Sequence, residues 1–203
     1  LSLLKSFNCD IVFTPTPEEI YADDIQSQSF DFDGLEFQME GKFRAGHFNG
    51  VGTIVERLFT VVKPHKAYFG EKDFQQIQII RKMVEKRNLP VQIIACPIHR
   101  EKDGLAMSSR NERLTSLERQ EAAIIFKSLQ TAKEKFGTKS AKEVTEWVQK
   151  VFQNHPDFIL EYFEIADENT LKTCIRKSKS KKYRAFIAVF VNNIRLIDTI
   201  SLN

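Results

Sequence analysis

Long apolar runs, a strong charge of one sign and an even set of cysteines are all missing from this chain of 203 residues. The longest apolar run, Ala185 to Val191, is far shorter than the ~20 residues that span a membrane. The net charge of +3, from 30 basic and 27 acidic side chains, argues against a nucleic-acid or membrane partner. Three cysteines with no short pairing predict reduced thiols and a cytoplasmic protein.

Several signatures of catalytic or metal sites are also absent. The histidines His47, His65, His99 and His155 are scattered, and none has metal-ligand spacing to another histidine or a cysteine. We therefore expect no metal held by the protein itself. Neither a Gly-x-Ser-x-Gly nor a P-loop pattern occurs, so an acyl-enzyme mechanism has no support.

Alternating strands and helices are predicted in the first half. Helical spacing predicts helices at His47–Val62 and Asp73–Arg87. Strands are predicted between and after them, at Lys66–Phe69 and Val91–Cys96, and an earlier strand is predicted at Asp10–Thr14. Strands separated by helices indicate a parallel sheet.

The segments around the first strand are less regular. Leu1–Lys5 resembles the end of an amphipathic helix that runs straight into the strand, which predicts that preceding structure is missing from the sequence. Pro17–Tyr21 is expected to form one helical turn. Ile25–Gly46 is polar, aromatic and aperiodic, and we interpret it as loop or a small hairpin.

The pattern changes near Met107–Asn111. Capping boxes at Thr115–Glu118 and Ser140–Glu143 open two predicted helices. Strands are then predicted at Ile159–Ala166, Ala185–Val191 and Arg195–Ile200, with a tight turn at Asn192-Asn193. This arrangement indicates a second unit of helices and antiparallel strands.

The segment Tyr68–Gln76 is typical of a strand end, a glycine turn and a helix start, a geometry that suits a phosphate group. Lys72 beside a helix N-terminus makes sense if an anion lies there, although it could be an ordinary surface lysine. Asp73 and Gln76 also fit a capping box that would only satisfy backbone donors. Gly70 could permit a turn or the approach of a ligand.

A second polar turn, Met107–Asn111, follows the next strand. The hydroxyl groups of Ser108 and Ser109 and the guanidinium of Arg110 suit phosphate oxygens. A polar linker would look similar, so this turn alone is a weak motif.

Together these motifs resemble the pantoate–β-alanine ligase family, over essentially the whole chain. Arg44-Ala45-Gly46-His47-Phe48-Asn49-Gly50-Val51 is similar to the family's Arg-Pro-Gly-His-Phe-x-Gly-Val segment. Tyr68–Asp73 with Gln75-Gln76 resembles its nucleotide-binding turn, and Asp103–Asn111 resembles its second signature. Arg195–Asp198 also fits.

The resemblance implies condensation of pantoate with β-alanine at the expense of ATP, through a pantoyl adenylate, with release of pyrophosphate and AMP. It implies that Gly70, Glu71, Lys72 and Asp73 bind ATP, that Met107, Ser108, Ser109 and Arg110 close over its phosphates, and that His99 contacts adenine through its backbone. Lys72, Ser108, Ser109 and Arg110 would be the catalytic residues and Gln76 a pantoate ligand. Mg²⁺ would arrive with ATP, and a homodimer is expected, with His47–Val62 near the interface.

The predicted fold class is therefore α/β. An incomplete Rossmann-like parallel-sheet nucleotide-binding domain covers residues 1–106, a hinge and ATP loop covers 107–111, and a smaller α+β domain with antiparallel strands covers 112–203. The family's His-x-Gly-His signature is absent, which predicts exposed hydrophobic strand edges and an inactive 203-residue chain.

Two alternatives stay open. One is another adenylate-forming transferase, such as an aminoacyl-tRNA synthetase relative that contacts RNA through Arg176–Arg184. The other is an inactive fragment or a binding module.

Overall fold

Two sheets organise residues 2–21 and 27–203, the parts of the chain that the computed structural model describes. The α-helices are α1 (Ser2–Ser6), α2 (Pro17–Tyr21), α3 (Met39–Phe43), α4 (His47–Val62), α5 (Phe74–Lys86), α6 (Ser116–Glu121), α7 (Ala123–Thr138) and α8 (Ala141–Gln153). Short 3-10 helices cover Leu35–Phe37, Glu71–Asp73 and Ser109–Arg113. The strands are β1 (Lys66–Gly70), β2 (Gln92–Cys96), β3 (Phe158–Asp167), β4 (Tyr183–Val191) and β5 (Ile194–Ser201).

The first sheet contains β1 and β2, which pair in parallel from Lys66 opposite Gln92 to Gly70 opposite Cys96. Parallel neighbours need a crossover, and α5 provides it. Asn88 ends this crossover in a left-handed conformation with φ of 52°, as predicted. Both strands therefore end at the same edge of the sheet.

The second sheet is antiparallel, in the order β3-β4-β5. Helices α7 and α8 cover one face, where Leu129 and Val148 join Ile187 in one core cluster. On the other face, Phe186 packs against Phe74 of α5 with ring centroids 6.0 Å apart. The apolar run in β4 is continuous because this strand is buried on both faces.

Local signals in the second half are confirmed. Thr115 with Glu118, and Ser140 with Glu143, form complete capping boxes. Asn192 has a φ of 50° in the turn between β4 and β5. The helix expected after Thr115 is divided at Ala122 into α6 and α7.

The strand predicted at Asp10–Thr14 is wrong, because this segment is irregular and Ile11 is 84% exposed. A strand needs a neighbour for its backbone hydrogen bonds, and among the described residues the parallel sheet contains only β1 and β2. The hairpin alternative for Ile25–Gly46 is also wrong, since Leu35–Phe37 and α3 are helical. Leu1, together with Ile25 and Gln26, lies outside the described residues.

Candidate functional site

A cavity of about 270 Å³ lies where the two sheets meet, beyond the carboxyl end of β1. It is lined from the first half by the start of α5 and from the second half by the turn before Ser109–Arg113 and by β5. The predicted site residues on this lining are Lys72, Asp73, Gln76, Ser108, Ser109 and Arg110. The fold thus brings together the two polar turns, which are separate in sequence.

The first turn presents its polar groups at the start of α5. Lys72 lies in the 3-10 turn Glu71–Asp73, and among the described residues its ammonium has no hydrogen-bond or ion-pair partner. Gly70 has an extended backbone, and a Cβ there would meet nothing within 4 Å. Neither backbone strain nor packing therefore requires glycine at this position, and the space beside it is open to a ligand.

The capping-box interpretation of Asp73 and Gln76 is wrong. Asp73 is the N-cap of α5, but its side chain makes no capping hydrogen bond. Gln76 lines the cavity, and its amide has no partner among the described residues. An amide without a protein partner at a cavity wall is available to a ligand.

Gln75 has the opposite environment. It is buried, and its Nε2 donates to the carbonyl oxygens of Leu35 and Gln38, each at 2.9 Å. Its Oε1 accepts from the backbone N–H of Glu40 at 3.0 Å. Gln75 therefore ties α5 to the segment that forms the opposite cavity wall.

The second turn is shaped by its own hydrogen bonds. Ser108 Oγ accepts from the backbone N–H of Arg110 at 3.2 Å. The Arg110 guanidinium donates to the carbonyl oxygen of Arg195 at 3.0 Å, which ties the turn to β5. Ser109 and Arg110 are exposed and face the first turn across the cavity.

Four other predicted residues do not line this cavity: Gly70, Glu71, His99 and Met107. The Glu71 carboxylate accepts from Arg184 of β4 at 3.3 Å, so its side chain bonds to the antiparallel sheet and does not line the cavity. The His99 carbonyl oxygen accepts from the Met107 N–H at 2.9 Å, and the Met107 side chain is 50% exposed.

An ion cluster that the sequence did not reveal forms one cavity wall. Arg195 donates to both carboxylate oxygens of Glu40, at 2.8 and 2.9 Å, and its Nε donates to Glu161 at 2.8 Å. The Tyr162 hydroxyl donates to Glu40 at 2.7 Å. Burial would raise the pKa of Glu40, but these hydrogen bonds outweigh it and lower that pKa. The positive charge of Arg195 is thereby largely neutralised.

His47, the first residue of α4, also lines the cavity. Burial and the nearby Arg44 charge lower the pKa of its imidazole. This shift favours the neutral imidazole, and the resemblance segment Arg44–Val51 is the signal that could have pointed to His47.

A buried pair supports the floor of the site. Arg100 donates to both carboxylate oxygens of Asp198, at 2.6 and 3.0 Å, and lies over the Phe126 ring at 3.8 Å. Burial raises the pKa of Asp198 even though Arg100 opposes the shift. Arg195 is paired with carboxylates, whereas Lys72 and Arg110 on the same lining have no carboxylate partner among the described residues and are available to an anionic ligand.

Residues 2–21 and 27–203 contain no group of three or more His, Cys, Asp or Glu side chains that could hold a metal ion. None of the helices in these ranges is long and apolar enough to cross a membrane.

Fold and site define an α/β protein whose anion-suited cavity lies at the carboxyl end of its parallel strands. Residues 1–201 match the sequence profile described as Pantoate-beta-alanine ligase. The chain belongs to this family, and membership supports ligation of pantoate with β-alanine in pantothenate biosynthesis.

Individual relatives agree with the family assignment. The chain is 64% identical over 192 residues to a pantothenate synthetase of Flavobacterium psychrophilum, covering 95% of this chain and 68% of the relative. It is 59% identical to that of Christiangramia forsetii, covering 100% and 72%. The crystal structure of pantothenate synthetase from Thermus thermophilus matches with a TM-score of 0.90 at 34% identity, over 99% of this chain and 72% of that one.

Proposed function

We propose that the protein is an ATP-dependent ligase that joins pantoate to β-alanine through a pantoyl-adenylate intermediate. The observation that carries this proposal is the cavity itself, which gathers Lys72, Gln76 and the Ser108–Arg110 turn in a chain of the ligase family. A cation, two hydroxyl groups and a guanidinium around one space suit a polyphosphate.

The proposed reaction has two steps. A carboxylate oxygen of pantoate attacks the α-phosphorus of ATP, and the bond to the leaving pyrophosphate breaks. The β-alanine amine then attacks the activated carbonyl carbon, AMP leaves with the pantoate oxygen, and the amine loses a proton. Both steps concentrate negative charge, so fixed donors and cations would supply most of the protein's contribution.

The residue roles come from the family resemblance, and Lys72, Asp73, Gln76 and Ser108–Arg110 also line the cavity. Gly70–Asp73 holds ATP in this proposal, with Lys72 on the phosphates and Asp73 near the ribose. Met107–Arg110 closes over the phosphates, Gln76 binds pantoate, and the backbone of His99 contacts adenine.

Support for ATP comes from a solved relative. The pantoate-beta-alanine ligase of Francisella tularensis is described as complexed with beta-gamma ATP and beta-alanine, and it matches with a TM-score of 0.74 at 29% identity, over 99% of this chain and 68% of that one. We propose that Mg²⁺ is carried by the ATP phosphates, since Mg²⁺ often binds through substrate phosphates and retained waters.

A homodimer and a cytoplasmic location are part of the proposal. The end of α4 supports the dimer, because Val61 and Val62 are 57% and 52% exposed. Apolar side chains that are exposed together on a helix are typical of an interaction surface.

The test is to incubate the intact protein with ATP, pantoate and β-alanine, with the F. psychrophilum relative as a positive control. We expect pantothenate, AMP and pyrophosphate in equal amounts, and pyrophosphate release that requires pantoate. Release of ADP instead would contradict the adenylate. Absence of all three products would favour the alternative expectation that a chain without the His-x-Gly-His signature is inactive.

A further inference from the structure

A second, much smaller cavity of about 10 Å³ lies behind the main one, and Lys72 and Ser108 line both. Asn111 also lines the small cavity, together with the apolar side chains of Leu105 and Leu196. A space of this size holds at most one water molecule.

The orientation of the Asn111 amide is fixed by its neighbours. Asn111 is 7% exposed, and its Nδ2 donates to the carbonyl oxygen of Ala106 at 3.1 Å and to the Glu101 carboxylate at 3.3 Å. Both partners are acceptors, so this end of the amide must be the NH₂ group. Oδ1 therefore points away from them, and it has no hydrogen-bond partner in residues 2–21 and 27–203.

A buried acceptor without a donor is rare and requires an explanation. The cations on the small cavity are Arg195, which is already bonded to Glu40 and Glu161, and Lys72. Within the described residues, the Lys72 ammonium makes no hydrogen bond or ion pair. Among the described residues, an acceptor without a donor and an ammonium without a hydrogen bond thus line the same small space. Burial raises the pKa of Asp198, and the Lys72 charge is close enough to that carboxyl to oppose the rise, but Asp198 is already paired with Arg100.

We infer that Asn111 is a positioning residue for Lys72. Its Oδ1 accepts a hydrogen bond from one water in the small cavity, which in turn accepts from the Lys72 ammonium, and this bridge holds Nζ at the entrance to the main cavity. A neutral amide suits this task because it orients the ammonium without cancelling its charge, whereas a carboxylate would neutralise it. The link to phosphate binding rests on the proposed function, but the Asn111–Lys72 contact does not.

The contact is tested without nucleotide, by measuring how fast an amine-selective acylating reagent modifies Lys72. A hydrogen bond to the ammonium favours the charged, unreactive form. We expect Asn111→Leu to raise the labelling rate of Lys72 severalfold, with Lys142 as an exposed internal reference. Unchanged labelling in a folded Asn111→Leu protein would overturn the inference. Asn111→Ala replaces this variant if leucine prevents folding.

Glu101→Ala is the matched control, because it removes a partner of the Nδ2 end and leaves Oδ1 untouched. If Asn111 only anchors its own loop, Glu101→Ala should raise Lys72 labelling as Asn111→Leu does, and that result would contradict the positioning role. We expect labelling in Glu101→Ala to stay within twofold of the wild type.

A double-mutant cycle then connects the contact with catalysis. We expect Asn111→Leu to lower kcat about tenfold, with the KM for β-alanine unchanged, and to cause no further loss in a Lys72→Ala background. Fully additive losses would overturn the inference. If the wild-type protein makes no pantothenate, the proposed function fails, while the labelling result still decides the Asn111–Lys72 contact.

Discussion

At the scale of single residues, substitution of Lys72 should affect catalysis strongly and folding stability very little. It is only partly buried and has no partner among the described residues, so Lys72→Ala should change the free energy of unfolding by no more than about 0.5 kcal/mol. Loss of one preorganised charge at the phosphates should lower kcat by roughly a hundredfold or more. Urea unfolding and steady-state kinetics check both parts. The exposed Lys102→Ala serves as control, and an unchanged rate in Lys72→Ala would refute the phosphate role.

Gln75 and Gln76 are adjacent but should respond in opposite ways. Gln75→Ala removes three hydrogen bonds and leaves the backbone N–H of Glu40 without its acceptor, while the carbonyl oxygens of Leu35 and Gln38 keep backbone donors. It should lower the free energy of unfolding by about 1–3 kcal/mol. Gln76→Ala removes no hydrogen bond to the part of the chain that the structure describes. Its melting temperature should therefore stay close to that of the wild type while the KM for pantoate rises. A lower melting temperature with normal pantoate kinetics would return Gln76 to a structural role.

Sequence reasoning found the residues of the two turns because their motifs are contiguous. It could not tell whether Asp73 and Gln76 cap the helix, since a capping box depends on side-chain rotamers that the pattern does not determine. It missed the bond between Arg195 and Glu40 because those residues are 155 positions apart.

At the scale of elements, the bond between Glu40 of α3 and Arg195 of β5 should make stability depend on pH. The folded-state pKa of Glu40 is lowered, so its contribution is fully present above the unfolded value of about 4.3 and is lost as the pH falls through the lower folded-state pKa. We expect the free energy of unfolding to fall less steeply in Glu40→Gln than in the wild type between about pH 5 and pH 3. Urea titrations of both proteins across this range test it, and parallel curves would contradict it.

Elements were predictable where the signals are local. The capping boxes located α6 and α8, and the seven-residue apolar run located β4. Asp10–Thr14 has the apolar character of a strand but lies irregular and exposed, because strand formation depends on a neighbour as well as on composition.

At the scale of the whole molecule, the two sheets share one interface. Phe186 of the antiparallel sheet is part of the core cluster built mainly from the first half, and Arg184 bonds to Glu71 in the 3-10 turn before α5. The site therefore depends on contacts between the proposed domains, 1–106 and 112–203, with 107–111 as the proposed hinge.

The basic stretch Arg176–Arg184 gives little support to RNA binding. The Lys177 ammonium donates to the carbonyl oxygen of Phe136, and Lys181 pairs with Asp167 at 3.5 Å. Basic side chains that already bond within the protein are less available to bind the phosphates of RNA. Salt-sensitive retention of tRNA on a filter would revive this alternative.

The adenylate is the central claim, and the fate of one oxygen atom tests it most directly. Pantoate carrying ¹⁸O in its carboxylate is incubated with ATP, β-alanine and the intact protein, and AMP is analysed by mass spectrometry. The proposed mechanism predicts that each AMP gains one oxygen from pantoate, because that oxygen bonds to the α-phosphorus before the amine attacks. AMP without the label, or label found only in inorganic phosphate, would contradict it.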